Sequence, residues 1–203
     1  MPRVNVITTL NNSRNDIALL NAYILSSKNL EAKYQHMISE VVMLRLFSIL
    51  EHSISEFAFK FACGAAYRNG NRPRVHMVCR SLQDANTQML SYGRRNPLPY
   101  HRWAKDNLIQ KSIQNVLDIT DSFFSQIQVH SNLIDEMRIV RNHIAHKSAN
   151  TKREYYTLLT NLYGGNPRIT AGAFLTSTTR QPRANIDKYI IATNIILNDI
   201  SNG

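Results

Sequence analysis

The chain has 203 residues, 43% of them hydrophobic, and 24 Lys and Arg set against 14 Asp and Glu give a formal charge of +10. That apolar share is enough for a folded core and excludes a disordered polyelectrolyte; no uninterrupted apolar run reaches the roughly eighteen residues of a membrane-spanning helix. The opening MPRVNVITTLNNSRND lacks a basic segment followed by an apolar stretch, so no secretory leader and a cytoplasmic location are expected, and Cys63 and Cys79, in no CxxC or Cys/His spacing, argue against a disulfide scaffold or a structural zinc site.

In chain order, SRNDIALLNAYILSS (13–27) reads as a helix that Ser13 N-caps, with Asp16 in its first turn. From Tyr34 to Ala65 nothing breaks the pattern before Gly64, and Phe47, Leu50, Ile54, Phe57 and Phe61 recur at helical spacing, which predicts one long amphipathic helix with Cys63 packed in the core. Residues 68 to 102 then carry seven Arg (68, 72, 74, 80, 94, 95 and 102) against the single Asp84, a surplus of six that leaves only four for the rest of the chain. This basic insertion is bracketed by Gly and Pro and is expected to hold one helix, from Val75 to Tyr92. Its concentrated positive charge suits a polyanion such as RNA better than a mixed solvated surface would.

A third helix is expected from Trp103 through NLIQKSIQNVLDI, and a fourth from Ser131 to Ser148. Residues 163–182 read as a turn-rich connector with a short strand or hairpin near Ile169–Leu175. A last helix, just after Pro182, keeps Ile186, Tyr189, Ile190, Thr193, Ile196, Leu197 and Ile200 on one stripe. The fold class is therefore all-α, a single antiparallel helical bundle over 1–203 with the basic insertion inside it, and there is no internal repeat.

The segment RIVRNHIAHKSAN (138–150) begins inside the 131–148 helix. At about 100° per residue, Leu133, Met137, Val140 and Ile144 form its core stripe. Arg138, Arg141, Asn142, Ala145 and His146 fall opposite, within an arc of about 140°. His143 sits at the edge of that face, nearer Glu136, and is the weaker of the two histidine candidates. A polar face is also what simple solvent exposure produces on any amphipathic helix.

The hexapeptide RNHIAH resembles the R-x4–6-H signature of HEPN domains, most closely the RiboL-PSP-HEPN branch. RLFSILEHSISEFAF (45–59) resembles that family's long helix with an acidic residue partway along, here Glu51, and the resemblance covers about residues 30 to 200. It implies metal-independent RNA cleavage by a homodimer whose two motif helices face each other through the 131–148 helix, in a toxin or phage-defence role. No metal and no cofactor is expected.

On that reading His146 is the acid–base group, because imidazole titrates near neutrality. Arg141 offers a permanently charged fork to the phosphate. Asn142 would hold the imidazole or the ribose 2'-OH, Arg138 and Lys147 would position the strand, and Arg72, Arg74, Arg94 and Arg95 would guide RNA. Glu51 is expected as a structural partner of an Arg. The Tyr that many toxin members carry two residues after the motif His, a target of modification by their antitoxin, is Ser148 here, and Tyr155 and Tyr156 lie too far on; an antitoxin or inhibitory partner would be of another kind. The alternatives are a non-catalytic HEPN module that binds RNA or nucleotide, and a DNA-binding protein, disfavoured because long connections are expected on both sides of the motif helix.

Overall fold

A computed structural model describes residues 4–165 and 167–203. Among the described residues there are nine helices and no strand: α1 (Val6–Ser27), α2 (Ala32–Ala62), α3 (Leu82–Ser91), α4 (Asp106–Ile113), α5 (Ser122–Val129), α6 (Ser131–His146), α7 (Ala149–Tyr163), α8 (Ala171–Thr176) and α9 (Asn185–Asn202). The one β-type contact among the described residues is an isolated antiparallel bridge between Val75 and Leu117. The chain is all-α, as its periodicity predicts. It divides into two compact units: one takes residues up to Arg14, Leu50–Ile134 and Ile195–Gly203, the other Asn15–Ile49 and Asp135–Asn194.

In the first unit, α1 begins seven residues before Ser13. Its cap is Asn5, whose Oδ1 accepts the Ile7 N–H at 2.6 Å. Ser13 is instead a buried mid-helix residue, donating to the Thr9 carbonyl at 2.8 Å and lying 2.7 Å from Ser53 Oγ. A serine whose hydroxyl can return to the preceding turn sits inside a helix at little cost, which is why the cap signal misleads. Along α2, Leu50, Ile54, Phe57 and Phe61 are all buried, and Phe61 packs on Tyr67 and Phe123 with ring centroids at 4.2 and 6.0 Å. Cys79, not Cys63, is the buried thiol; Cys63 is only half-buried.

The basic segment is woven into this unit. His76 N–H bonds to Val116 O at 2.8 Å, Asp118 N–H to Arg74 O at 2.9 Å and Cys79 N–H to Ala62 O at 2.8 Å. These bonds occupy residues 74–79, so the helix expected from Val75 starts only at Leu82, where Ser81 accepts the Asp84 N–H and Asp84 in turn accepts the Arg80 N–H. The helix expected from Trp103 through Ile119 is shorter, Asp106–Ile113, and α5, which was not expected, starts beyond it at a buried cap, Asp121, which accepts from Phe123 N–H at 2.9 Å, from Arg74 N–H at 2.6 Å and from the Tyr67 hydroxyl.

In the second unit, α7 follows α6 after two residues only, Lys147 and Ser148. Lys147 adopts the left-handed region (φ 46°), and Ser148 caps α7 by accepting the Thr151 N–H. The connections flanking the motif helix are therefore short, His130 alone separating α5 from α6. The ground for setting DNA binding aside thus changes: a two-residue link is tighter than the three to four residues of a helix-turn-helix. Where a strand or hairpin was expected there is α8, capped by Thr170. Gly172 lets its first turn approach α2: a Cβ there would lie 2.5 Å from His36 Cβ, and the Gly172 N–H reaches Glu40 Oε1 at 2.9 Å.

Candidate functional site

The core stripe of α6 is Ile134, Met137, Val140 and Ile144, all buried, while Leu133 is only half-buried. Burial of that stripe turns the opposite face outward: Arg141 and Asn142 are half-buried, and Ala145, His146 and Lys147 are exposed. Helical spacing sets His146 four residues after Asn142 and five after Arg141, so the three share the last two turns.

Arg141 is held. Its Nη1 donates to Asn142 Oδ1 at 2.9 Å, and its guanidinium carbon lies 5.8 Å from the centroid of the buried Phe47 ring on α2. Asn142 therefore spends its carbonyl on the guanidinium and not on an imidazole. A planar cation lying over an aromatic face is restricted in tilt as well as position. His146, the last residue of α6, makes no side-chain hydrogen bond or ion pair with any described residue. Its imidazole stands in solvent beside Lys147.

The remaining expected residues are placed differently. Arg138 donates from Nε to Asp135 Oδ1 at 2.8 Å and lies 3.6 Å from Glu154 Oε2, with its side chain only 18% exposed, so its charge is compensated inside the unit and not offered to a strand. His143 is a packing residue: its ring stacks on Tyr155 at 4.3 Å and 7°, and its Nδ1 is buried without a hydrogen-bond partner. Burial lowers its pKa below the usual imidazole range, and Lys147 and Lys152 add to this while Glu40 opposes it. Glu51 lies half-buried on the part of α2 that belongs to the first unit.

Of the basic segment, Arg72 and Arg95 are exposed. Arg74 is also exposed, but its Nη1 donates to Thr120 Oγ1 at 3.1 Å. Arg94 turns inward: Nε donates to Met89 O at 3.3 Å, and Nη2 to Lys111 O at 2.6 Å and Ser112 O at 3.2 Å. Burial lowers its pKa, the expected direction for a cation withdrawn from water. Arg94 is the tie that holds this loop, not a guide for RNA.

Sequence reading missed α7 and what it brings to the motif helix: Tyr155, the plate under His143, and Glu154, the second acid on Arg138. The signal was available, since Ser148 is a good cap, Gly164 a left-handed stop, and Tyr155 and Leu159 a buried i, i+4 pair. Among the described residues no group of three His, Cys, Asp or Glu could hold a metal ion, and no helix is long and apolar enough to cross a membrane. No family model, curated protein or solved structure matches the chain.

Proposed function

We propose that this chain is a metal-independent endoribonuclease of the HEPN kind, working in the cytoplasm as a homodimer paired through the 131–148 helix, in a toxin or phage-defence role under an inhibitory partner. The observation that carries the reading is the end of α6, where an oriented guanidinium, Arg141, and a solvent-facing imidazole, His146, share two turns. Arg141 stabilises charge on the phosphate oxygens; an imidazole removes the ribose 2'-OH proton. The 2'-oxygen then bonds to phosphorus as the P–O5' bond breaks, and the departing 5'-oxygen takes up a proton. The products are a 2',3'-cyclic phosphate and a 5'-hydroxyl.

One observation favours the rival, a non-catalytic module that binds RNA or nucleotide. His143 is packed away, so each motif helix offers solvent one imidazole, while cleavage needs a proton removed and another supplied. Pairing of two chains answers this by bringing a second His146. The test incubates purified protein with mixed RNAs in EDTA beside the His146→Ala form, with light scattering for the assembly. Cleavage should survive EDTA, leave cyclic phosphate ends, spare DNA, and fall about 100-fold or more in His146→Ala. Cutting at a position bearing a 2'-deoxy sugar, or a requirement for metal, would sink this chemistry and leave the binding module.

A further inference from the structure

The irregular segment between α3 and α4 reads YGRRNPLPYHRWAK (92–105) and carries Arg94, Arg95, Arg102 and Lys105 with no acidic residue. It is pinned from behind. Arg94 is spent on three carbonyls, Asn115 Nδ2 donates to Tyr92 O at 2.8 Å, Leu98 N–H reaches Leu90 O at 2.9 Å, and Arg102 N–H reaches Ser112 Oγ at 3.1 Å. The His101 and Trp103 rings both pack against Phe59 with centroids at 5.7 Å.

What faces outward on this anchored loop is aromatic and cationic together. Tyr100 is 57% exposed, and Tyr92 is exposed too. The Arg102 guanidinium lies 5.2 Å from the Tyr100 ring centroid and donates to its hydroxyl at 3.2 Å, and Arg95 is exposed nearby in the chain. Fixing an open tyrosine ring on a loop without regular secondary structure, next to unneutralised guanidinium groups, gives nothing to the core. It does give a flat surface on which an unpaired base can stack beside cations for its phosphates.

We propose that this loop is a stacking platform for single-stranded RNA, with a nucleobase on the Tyr100 ring and neighbouring phosphates on Arg95 and Arg102. The proposal rests on the reading that the chain handles RNA, and it names the substrate as unpaired. In a duplex the base faces are covered by their neighbours, so Tyr100 would have nothing to stack on.

The experiment measures binding and not cutting. A fluorescein-labelled uridine 12-mer is titrated with the full chain carrying His146→Ala. Adding Tyr100→Ala should weaken binding about 5- to 100-fold, whereas Tyr100→Phe, which keeps the ring, should bind nearly as the parent does. Arg95→Ala and Arg102→Ala should each reduce the slope of log affinity against log salt by about 0.7. Trp103, the single tryptophan, sits in the same loop: in the Tyr100 parent its emission should change on titration, and an unaltered maximum in each free variant reports that the loop stays folded. Equal affinity of Tyr100→Ala and parent for the 12-mer would overturn the platform. So would Tyr100-dependent binding of duplex RNA or of polyglutamate. Tyr100-dependent binding in a protein that cuts nothing would sink the ribonuclease reading alone, and cutting with Tyr100-independent binding would sink the platform alone.

Discussion

Asn142 separates two accounts of the candidate site. If it served the imidazole or the 2'-OH, its loss would resemble the loss of His146. Its carbonyl instead fixes Arg141, by one hydrogen bond of 2.9 Å between half-buried side chains. A hydrogen bond to a charged group contributes about 1.5–3 kcal/mol when fully buried, and partial exposure brings this toward about 1 kcal/mol. Lost as orientation in the transition state, that is a rate reduction of about 5-fold, since each 1.36 kcal/mol is about a factor of ten. The Phe47 ring continues to restrain the guanidinium, so Asn142→Ala should not reach the roughly 100-fold loss expected for Arg141→Ala. Asn142→Asp should be worse than Asn142→Ala. It sets a carboxylate where the amide oxygen was, and at an effective dielectric of about 20 an attraction of about 5 kcal/mol then competes with the phosphate for Arg141. The assay is single-turnover cleavage of end-labelled RNA in EDTA, with each substitution repeated on Arg141→Ala. On that background Asn142→Ala should change the rate by less than about 2-fold, because its partner is already gone. A loss as large as that of His146→Ala, undiminished without Arg141, would refute this assignment.

Two predictions concern stability. Asp121→Ala removes the cap of α5 and leaves the Arg74 N–H and the buried Tyr67 hydroxyl without their acceptor, a cost of about 3–5 kcal/mol that should lower the calorimetric midpoint by about 6–20 °C; a drop below about 2 °C would show that water replaces the carboxylate freely. For His143, burial holds the folded pKa below the unfolded value of about 6.5, so the neutral ring's contribution is complete above that pH and is lost as pH falls toward and through the folded pKa, with Glu40, Lys147 and Lys152 as the charges that set where. Urea midpoints between pH 7.5 and 5 should therefore fall, and fall less in His143→Phe; parallel pH profiles would assign the acid sensitivity elsewhere.

The elements legible in the sequence were those in which one strong apolar stripe runs unopposed: α2, α6 and α9, each expected within a few residues of its observed span. The errors share a cause. Capping residues are ambiguous when their hydroxyl or carboxylate has two possible uses, so Ser13 was assigned to a helix start it does not make, while Ser148 and Asp121, which do start helices, went unread. Near Ile169–Leu175, where a strand was expected, the Thr170 hydroxyl caps a helix, and Gly172 is required by the close approach to His36. In the site, the face formed by Arg141, Asn142 and His146 followed from helical spacing alone. The packing role of His143 and the second acid on Arg138 did not, because Tyr155 and Glu154 come from α7, whose side chains no local pattern in α6 can indicate; the first acid, Asp135, lies one turn back on α6 itself.

Charge count misleads for a related reason. The surplus of six between residues 68 and 102 suggests a uniform cationic surface, yet a guanidinium is also the best available donor for closing irregular backbone. Arg94 does this, binding three carbonyls. Of the seven Arg in that segment, Arg94 alone is withdrawn from solvent, and Arg102 is the one that lies against an exposed ring, Tyr100. That placement makes holding and cutting separable. Substitutions on the Tyr100 loop should alter how tightly a strand is held and its salt dependence, and leave the rate at saturating RNA nearly unchanged. Substitutions at Arg141 should do the reverse, because in the proposed ribonuclease its orientation by Asn142 and Phe47 would serve a charge that develops only as the phosphate reacts.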